Sequence, residues 1–244
     1  MRIRKLDIRF EQEVAQRELP SFRGAVIQAM ESANVLFHNH EEDGFRYGYP
    51  LIQYKRIGSK AAIICIGDGT AAIGEFFSNC DFDINIGERP LHLEVSQVKA
   101  EQVPVQVGED LSPYTLRKWL PLNQENYQEY KRLEGLSEQC AFLERILTGN
   151  ILSFASGLDI HFDREVKVRI TALENIRTYS YKGVKMQGFD VQFKSNVSLP
   201  DYIGLGKSVS VGFGMVKRNE RGFIQGGKKI LACEIIHSIK KKTI

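Results

Sequence analysis

The apolar residues of the first hundred positions change period in a fixed order, and that order narrows the fold more than any other feature. Leu6, Ile8 and Phe10 alternate with Lys5, Asp7 and Arg9, which predicts an opening strand. After the Leu19-Pro20-Ser21 turn, Ser21 suits a helix cap, and a helix is predicted from Phe22 to about Ser32 with Ala25, Val26, Ala29 and Met30 on its buried stripe. Leu51 to Arg56 and Ala61 to Ile66 read as a hairpin turned at Gly58-Ser59. Gly69 to Phe77 suits a second, short helix, and Phe82–Ile86 and Leu91–Val95 supply closing strands.

Strand, helix, strand, strand, helix, strand is the split βαβ plan of a ferredoxin-like domain. The second half repeats it less regularly. A strand near Tyr114 to Leu120 precedes a helix with Leu133, Leu136, Cys140, Leu143 and Leu147 on one seam, capped at Gly149. Val166, Val168 and Ile170, then Phe189, Val191 and Phe193, alternate as two further strands, and Val209 to Met215 closes the unit. The reading is α+β: two tandem ferredoxin-like (RRM-like, βαββαβ) domains. Residues 1–100 carry a histidine loop and 101–217 a glycine-rich loop, with the join near Glu101 to Gly108. A basic tail follows over 218–244, where Leu231, Ile235 and Ile239 have helical spacing.

A chain of 244 residues has room for two such domains. Its net charge of +3 does not by itself announce nucleic acid, but Lys217, Arg218, Arg221, Lys228, Lys229 and Lys240 to Lys242 face only Glu220 and Glu234 at the basic end. Cys65, Cys80, Cys140 and Cys233 show no C-x-x-C spacing, so a reducing cytoplasm is expected. Met1-Arg2-Ile3-Arg4-Lys5 enters charged residues with no apolar h-region, and no run approaches a membrane span; neither signal peptide nor membrane is expected.

Leu199 to Gly214 holds two Gly-x-Gly pairs, Gly204/Gly206 and Gly212/Gly214. A P-loop ending at Gly206-Lys207-Ser208 would need glycine at Asp201, and G-x-G-x-x-G fails at Val209 and at Lys217. Nucleoside triphosphates and dinucleotides are disfavoured. What remains is a glycine loop with Lys207 behind it, feeding a strand whose Ser208, Ser210, Gly212, Gly214 face is nearly bare. A phosphate backbone could lie there.

His38-Asn39-His40 is the candidate for chemistry. In extended chain, residues i and i+2 point the same way, so the two imidazoles can face one ligand as base and acid. RNA cleavage without metal needs that pair, plus a cation for the charge gathering on the phosphoryl oxygens. Lys55, Arg56 and Arg46 are near in sequence, and Tyr47, Tyr49 and Tyr54 could stack on bases. The pair also suits zinc, but no convincing third ligand follows, so neither metal nor cofactor is expected. Arg23, Arg46, Lys194 and Lys207 are candidate groove cations.

Gly204-Leu205-Gly206, five residues, then Gly212-Phe213-Gly214 resembles the C-terminal glycine signature of the CRISPR repeat-RNA-processing endoribonucleases. The likeness spans about Met1 to Lys217, and Leu36-Phe37-His38-Asn39-His40 with Tyr49 to Lys55 is similar to that family's paired-histidine branch. The resemblance implies metal-independent cleavage to a 2′,3′-cyclic phosphate and a 5′-hydroxyl. It makes His38 and His40 the acid–base pair, either way round, and Lys55 the phosphate-stabilising cation. Gly204, Gly206, Lys207, Gly212 and Gly214, with Arg46 and Lys194, would hold the CRISPR repeat RNA. Effector-complex subunits and a second copy are further candidate partners. The alternative is a non-catalytic RNA-binding subunit of a CRISPR effector complex. The tail after Lys217 runs beyond the family's usual end.

Overall fold

The structure, a computed structural model, describes residues 1–29, 40–41, 44–45, 48–79, 81–181 and 183–219. In the first domain β1 (Arg2–Glu13) leads through a single 3-10 turn (Gln16–Glu18) into α1 (Leu19–Gln28). Two short strands, β2 (His40–Glu41) and β3 (Gly44–Phe45), pair before the hairpin of β4 (Ile52–Ile57) and β5 (Lys60–Ile66). Then come α2 (Gly69–Asn79), a small hairpin of β6 (Asp83–Ile86) and β7 (Arg89–His92), and β8 (Val95–Pro104). The main sheet has the order β4-β5-β1-β8, antiparallel throughout.

Helix α1 starts earlier than predicted. Pro20 sits inside its first turn, where the missing N–H costs nothing, and Leu19 and Phe22 are drawn fully into the core. Ile8 and Phe10 of β1, Ile52 and Tyr54 of β4 and Ile73 and Phe76 of α2 share that core. The opposite face of β1 is covered too. Lys5 and Asp7 are buried as an ion pair, Glu101 accepts from Lys5 at 3.1 Å, and Tyr202 of the second domain lies over Lys5 and Arg9. Polar alternation alone would have left them in water.

The second domain runs β9 (Val107–Trp119), α3 (Gln124–Arg132), α4 (Leu136–Ser156), β10 (Val168–Tyr181), β11 (Val184–Val197) and β12 (Met215–Arg218). Its sheet order, β10-β11-β9-β12, repeats the first domain's plan. The α+β, tandem ferredoxin-like expectation holds. Asn123 caps α3, accepting from the Asn126 amide at 2.6 Å. Gly149 lies inside α4 and does not cap it: Ile151, Phe154 and Ala155 continue the buried stripe, and the helix ends at Gly157. Strand β8 carries the first sheet on past residue 100 to Pro104. Among the described residues no helix is long and apolar enough to cross a membrane.

Before the fourth strand the first domain has α2, and the second has the non-helical segment 198–214. The predicted Val209–Met215 strand is a correction. Positive φ at Ser208 (55°), Gly212 (85°) and Gly214 (63°) breaks the pleat, and the closing strand begins only at Met215.

Candidate nucleic-acid interface and catalytic segment

The glycine segment joins the two cores. Leu199, Ile203 and Leu205 pack in the core of the second domain, whereas Val211 and Phe213 pack in that of the first. The alternation read as one strand face is a chain crossing between two apolar clusters. Its glycines are the points of closest approach. A Cβ on Gly214 would overlap the Leu205 carbonyl, and one on Gly206 would stand 2.8 Å from the Trp119 indole. On Gly212 it would meet Leu19, and on Gly204 the Val209 side chain. The face expected to lie bare is thus filled by the protein's own atoms at Gly212 and Gly214, and the first pair, Gly204 and Gly206, is packed as closely.

The segment also docks on edge strand β4. The Tyr54 amide donates to the Ser210 carbonyl at 2.8 Å, and Tyr54 bridges Val211 in parallel register. The Gly204 amide donates to Gln53 Oε1 at 2.9 Å, Gln53 Nε2 donates to the Tyr49 hydroxyl at 2.8 Å, and that hydroxyl donates to the Gly204 carbonyl at 2.6 Å. The Tyr49 ring packs on Phe154 of α4, edge to face with centroids 5.2 Å apart. An otherwise open sheet edge is thereby covered.

Lys55 corrects a second expectation. It is fully buried, its Nζ donating to the Val209 carbonyl at 2.8 Å, so it is a strut under the glycine segment and no cation facing a groove. Loss of hydration pushes its pKa down to about 7. Between that value and the ordinary lysine range the unfolded chain binds the extra proton, so Lys55 makes stability rise with pH there, by up to ~1.4 kcal/mol per pH unit. Below pH 7 both states are protonated and the full cost of burying the charge is present. Thermal melts of wild type and Lys55→Met from pH 7 to 9.5 are expected to show wild type gaining on the variant. Parallel curves would contradict this.

Tyr54 is buried with its ring on Phe22, and it is no platform for bases. Lys207 is exposed, with its amide on the Leu120 carbonyl at 3.1 Å, and Lys194 is half-buried on β11 beside Arg169. His38, Arg46 and the 220–244 part of the tail lie outside the described residues, and His40 is described only as a backbone partner of Phe45. Its strand lies between α1 and β4, and β4 is the strand the glycine segment holds. Sequence reasoning missed the Tyr49–Gln53–Gly204 chain of hydrogen bonds, because Gly204 lies 155 residues from Tyr49 and 151 from Gln53.

Residues 1–104 match the family model of the Cas6b N-terminal domain, and residues 106–219 that of the Cas6b C-terminal domain. The chain belongs to the Cas6b family. A solved Cas6b structure superposes with a TM-score of 0.82 at 28% identity, covering 90% of this chain and all of that one. A second, described as the CRISPR RNA processing endoribonuclease Cas6b, gives 0.69 at 25% identity over the same shares. The type IV Cas6 crRNA endonuclease Csf5, at 13% identity and a TM-score of 0.53, shares the fold. An uncharacterised protein of Methanocaldococcus jannaschii is 37% identical over 143 residues, 56% of this chain and 96% of its own length. Both Cas6b domain matches meet at the connector between β8 and β9.

Proposed function

We propose that this Cas6b protein is an endoribonuclease that cuts CRISPR repeat RNA without a metal ion, with His38 and His40 as its acid–base pair. The observation that carries the reading is the family match over both domains, together with a His-x-His pair on the connector between α1 and β4. One imidazole takes the proton of the 2′-hydroxyl. The freed oxygen attacks the adjacent phosphorus, the bond to the 5′-oxygen breaks, and the second imidazolium protonates that departing oxygen. The products are a 2′,3′-cyclic phosphate and a 5′-hydroxyl. The neighbour described as a CRISPR RNA processing endoribonuclease supports the reaction class. Lys207, exposed within the glycine segment, is an RNA contact in this reading.

The test is incubation of end-labelled repeat RNA with the protein in EDTA, followed by analysis of the product ends. Cleavage leaving a cyclic phosphate and a 5′-hydroxyl is expected. Tight binding with no cleavage would leave an RNA-binding subunit instead.

A further inference from the structure

We infer that Arg56, Lys118 and Arg177, brought together from both domains, form a site for the phosphodiester backbone of the RNA. The inference rests on the RNA-processing reading for its ligand.

Two of these cations converge on one short connector. Arg56, at the end of β4, donates from Nε to the Val14 carbonyl at 2.8 Å. Lys118, from β9 of the other domain, donates from Nζ to Gln16 Oε1 at 2.6 Å. Val14 and Gln16 both lie on the link between β1 and α1, and Gln16 Nε2 reaches the Val211 carbonyl of the glycine segment at 3.3 Å. Arg177 stands exposed on β10, two residues before Tyr179, whose ring packs on Phe213 of the same segment with centroids 5.5 Å apart.

None of the three has a carboxylate in ion-pair distance among the described residues. The nearby acids are already engaged: Asp190 accepts from Arg117 at 3.3 Å, the Lys118 amide at 2.7 Å and Asn175 at 3.2 Å, and Glu174 accepts from Arg117 at 3.2 Å. Arg56, Lys118, Arg177 and Arg117 against Asp190 and Glu174 leave a surplus of positive charge. The Lys118 pKa is lowered, first by desolvation and then by Arg56 and Arg177, against the opposing pull of the Asp190 carboxylate, so both arginine charges are near enough to repel it.

The backbone reinforces the assignment. Lys118 has a φ of 51°, at a point where β9 carries an extra residue against β11, and Arg177 lies at a second register break, of β10 against β11. Bulges turn side chains out of a sheet's regular alternation, and they are retained where a side chain must be aimed. A net surplus of positive charge at one place favours an anion, and a chain of phosphates spans a cluster that two domains build.

The test uses the full chain and a repeat RNA carrying a single 2′-deoxy at the cut site, so that binding is read without cleavage. Dissociation constants are measured over a salt series for wild type, Arg56→Gln/Lys118→Gln/Arg177→Gln, and Arg145→Gln on the exposed face of α4 as the control. The triple variant is expected to bind at least ~10-fold more weakly, with the slope of log K against log salt reduced in magnitude by ~0.7 for each phosphate that the variant no longer neutralises. Altered folding alone leaves that slope in place. Arg177→Gln, a change at an exposed residue, is expected to move both readouts in the same direction even if the triple variant folds poorly. Wild-type affinity and slope in Arg177→Gln and in a folded triple variant would overturn the site. Wild-type RNA that is bound but uncut would sink the endoribonuclease reading and leave this site standing.

Discussion

Replacing His38 and His40 together by alanine is expected to slow single-turnover cleavage of repeat RNA by at least ~1000-fold. A positioned acid or base typically contributes 10²- to 10⁴-fold, and removing both leaves only binding and orientation. The single variants should each lose less than the double one, because the remaining imidazole still serves one of the two proton transfers. Affinity for the uncleavable deoxy repeat should stay close to wild type, since the basic side chains and the glycine segment are untouched. Cleavage by the double variant within ~10-fold of wild type would remove the pair from the mechanism.

Gly214→Ala is expected to be the most damaging single methyl group. Gly214 has a φ of 63°, its amide donates to the Lys118 carbonyl at 3.0 Å, and its carbonyl accepts from the Leu205 amide at 2.8 Å. A Cβ there overlaps the Leu205 carbonyl, which is backbone and cannot turn aside. Strain of this kind, with a displaced hydrogen-bonded loop, costs ~3 kcal/mol or more, and for a chain of this size the melting temperature should fall by roughly 10 °C. Gly149→Ala is the contrasting change. Nothing stands within 4 Å of its Cβ position in the middle of α4, so it should stabilise by up to ~1 kcal/mol. Equal melting temperatures for the two variants would contradict the packing role given to Gly214.

The fold was legible wherever burial has a single direction. The short α2 and the Cys140, Leu143, Leu147 seam of α4 each bury one stripe against their own domain, and Leu6, Ile8 and Phe10 of β1 do the same on one side of that strand, so the apolar spacing names the element. It failed where two domains meet. Lys5, Asp7 and Lys55 carry the charge of a solvent face yet are buried, because the second domain covers that side of the first sheet. The 209–215 run alternates like a strand because Val211 and Phe213 must reach a different core from Leu205, and no local pattern says so. At the candidate site, the histidine pair and the glycine pairs were visible as spacing. Lys118 and Arg177 were not, because each becomes distinctive only beside Arg56, and that meeting is made by tertiary structure. Arg56 was visible only as a charge near the histidine loop.

The most direct test of the central claim is cleavage of two repeat RNAs in EDTA, one all-ribose and one with a single 2′-deoxy at the cut site. If the 2′-oxygen is the nucleophile and the histidines move the protons, the ribose substrate is cut and the deoxy substrate is bound equally well but left intact. Cutting of the deoxy RNA at the same position, or cutting of the ribose RNA only when a divalent metal is restored, would contradict it.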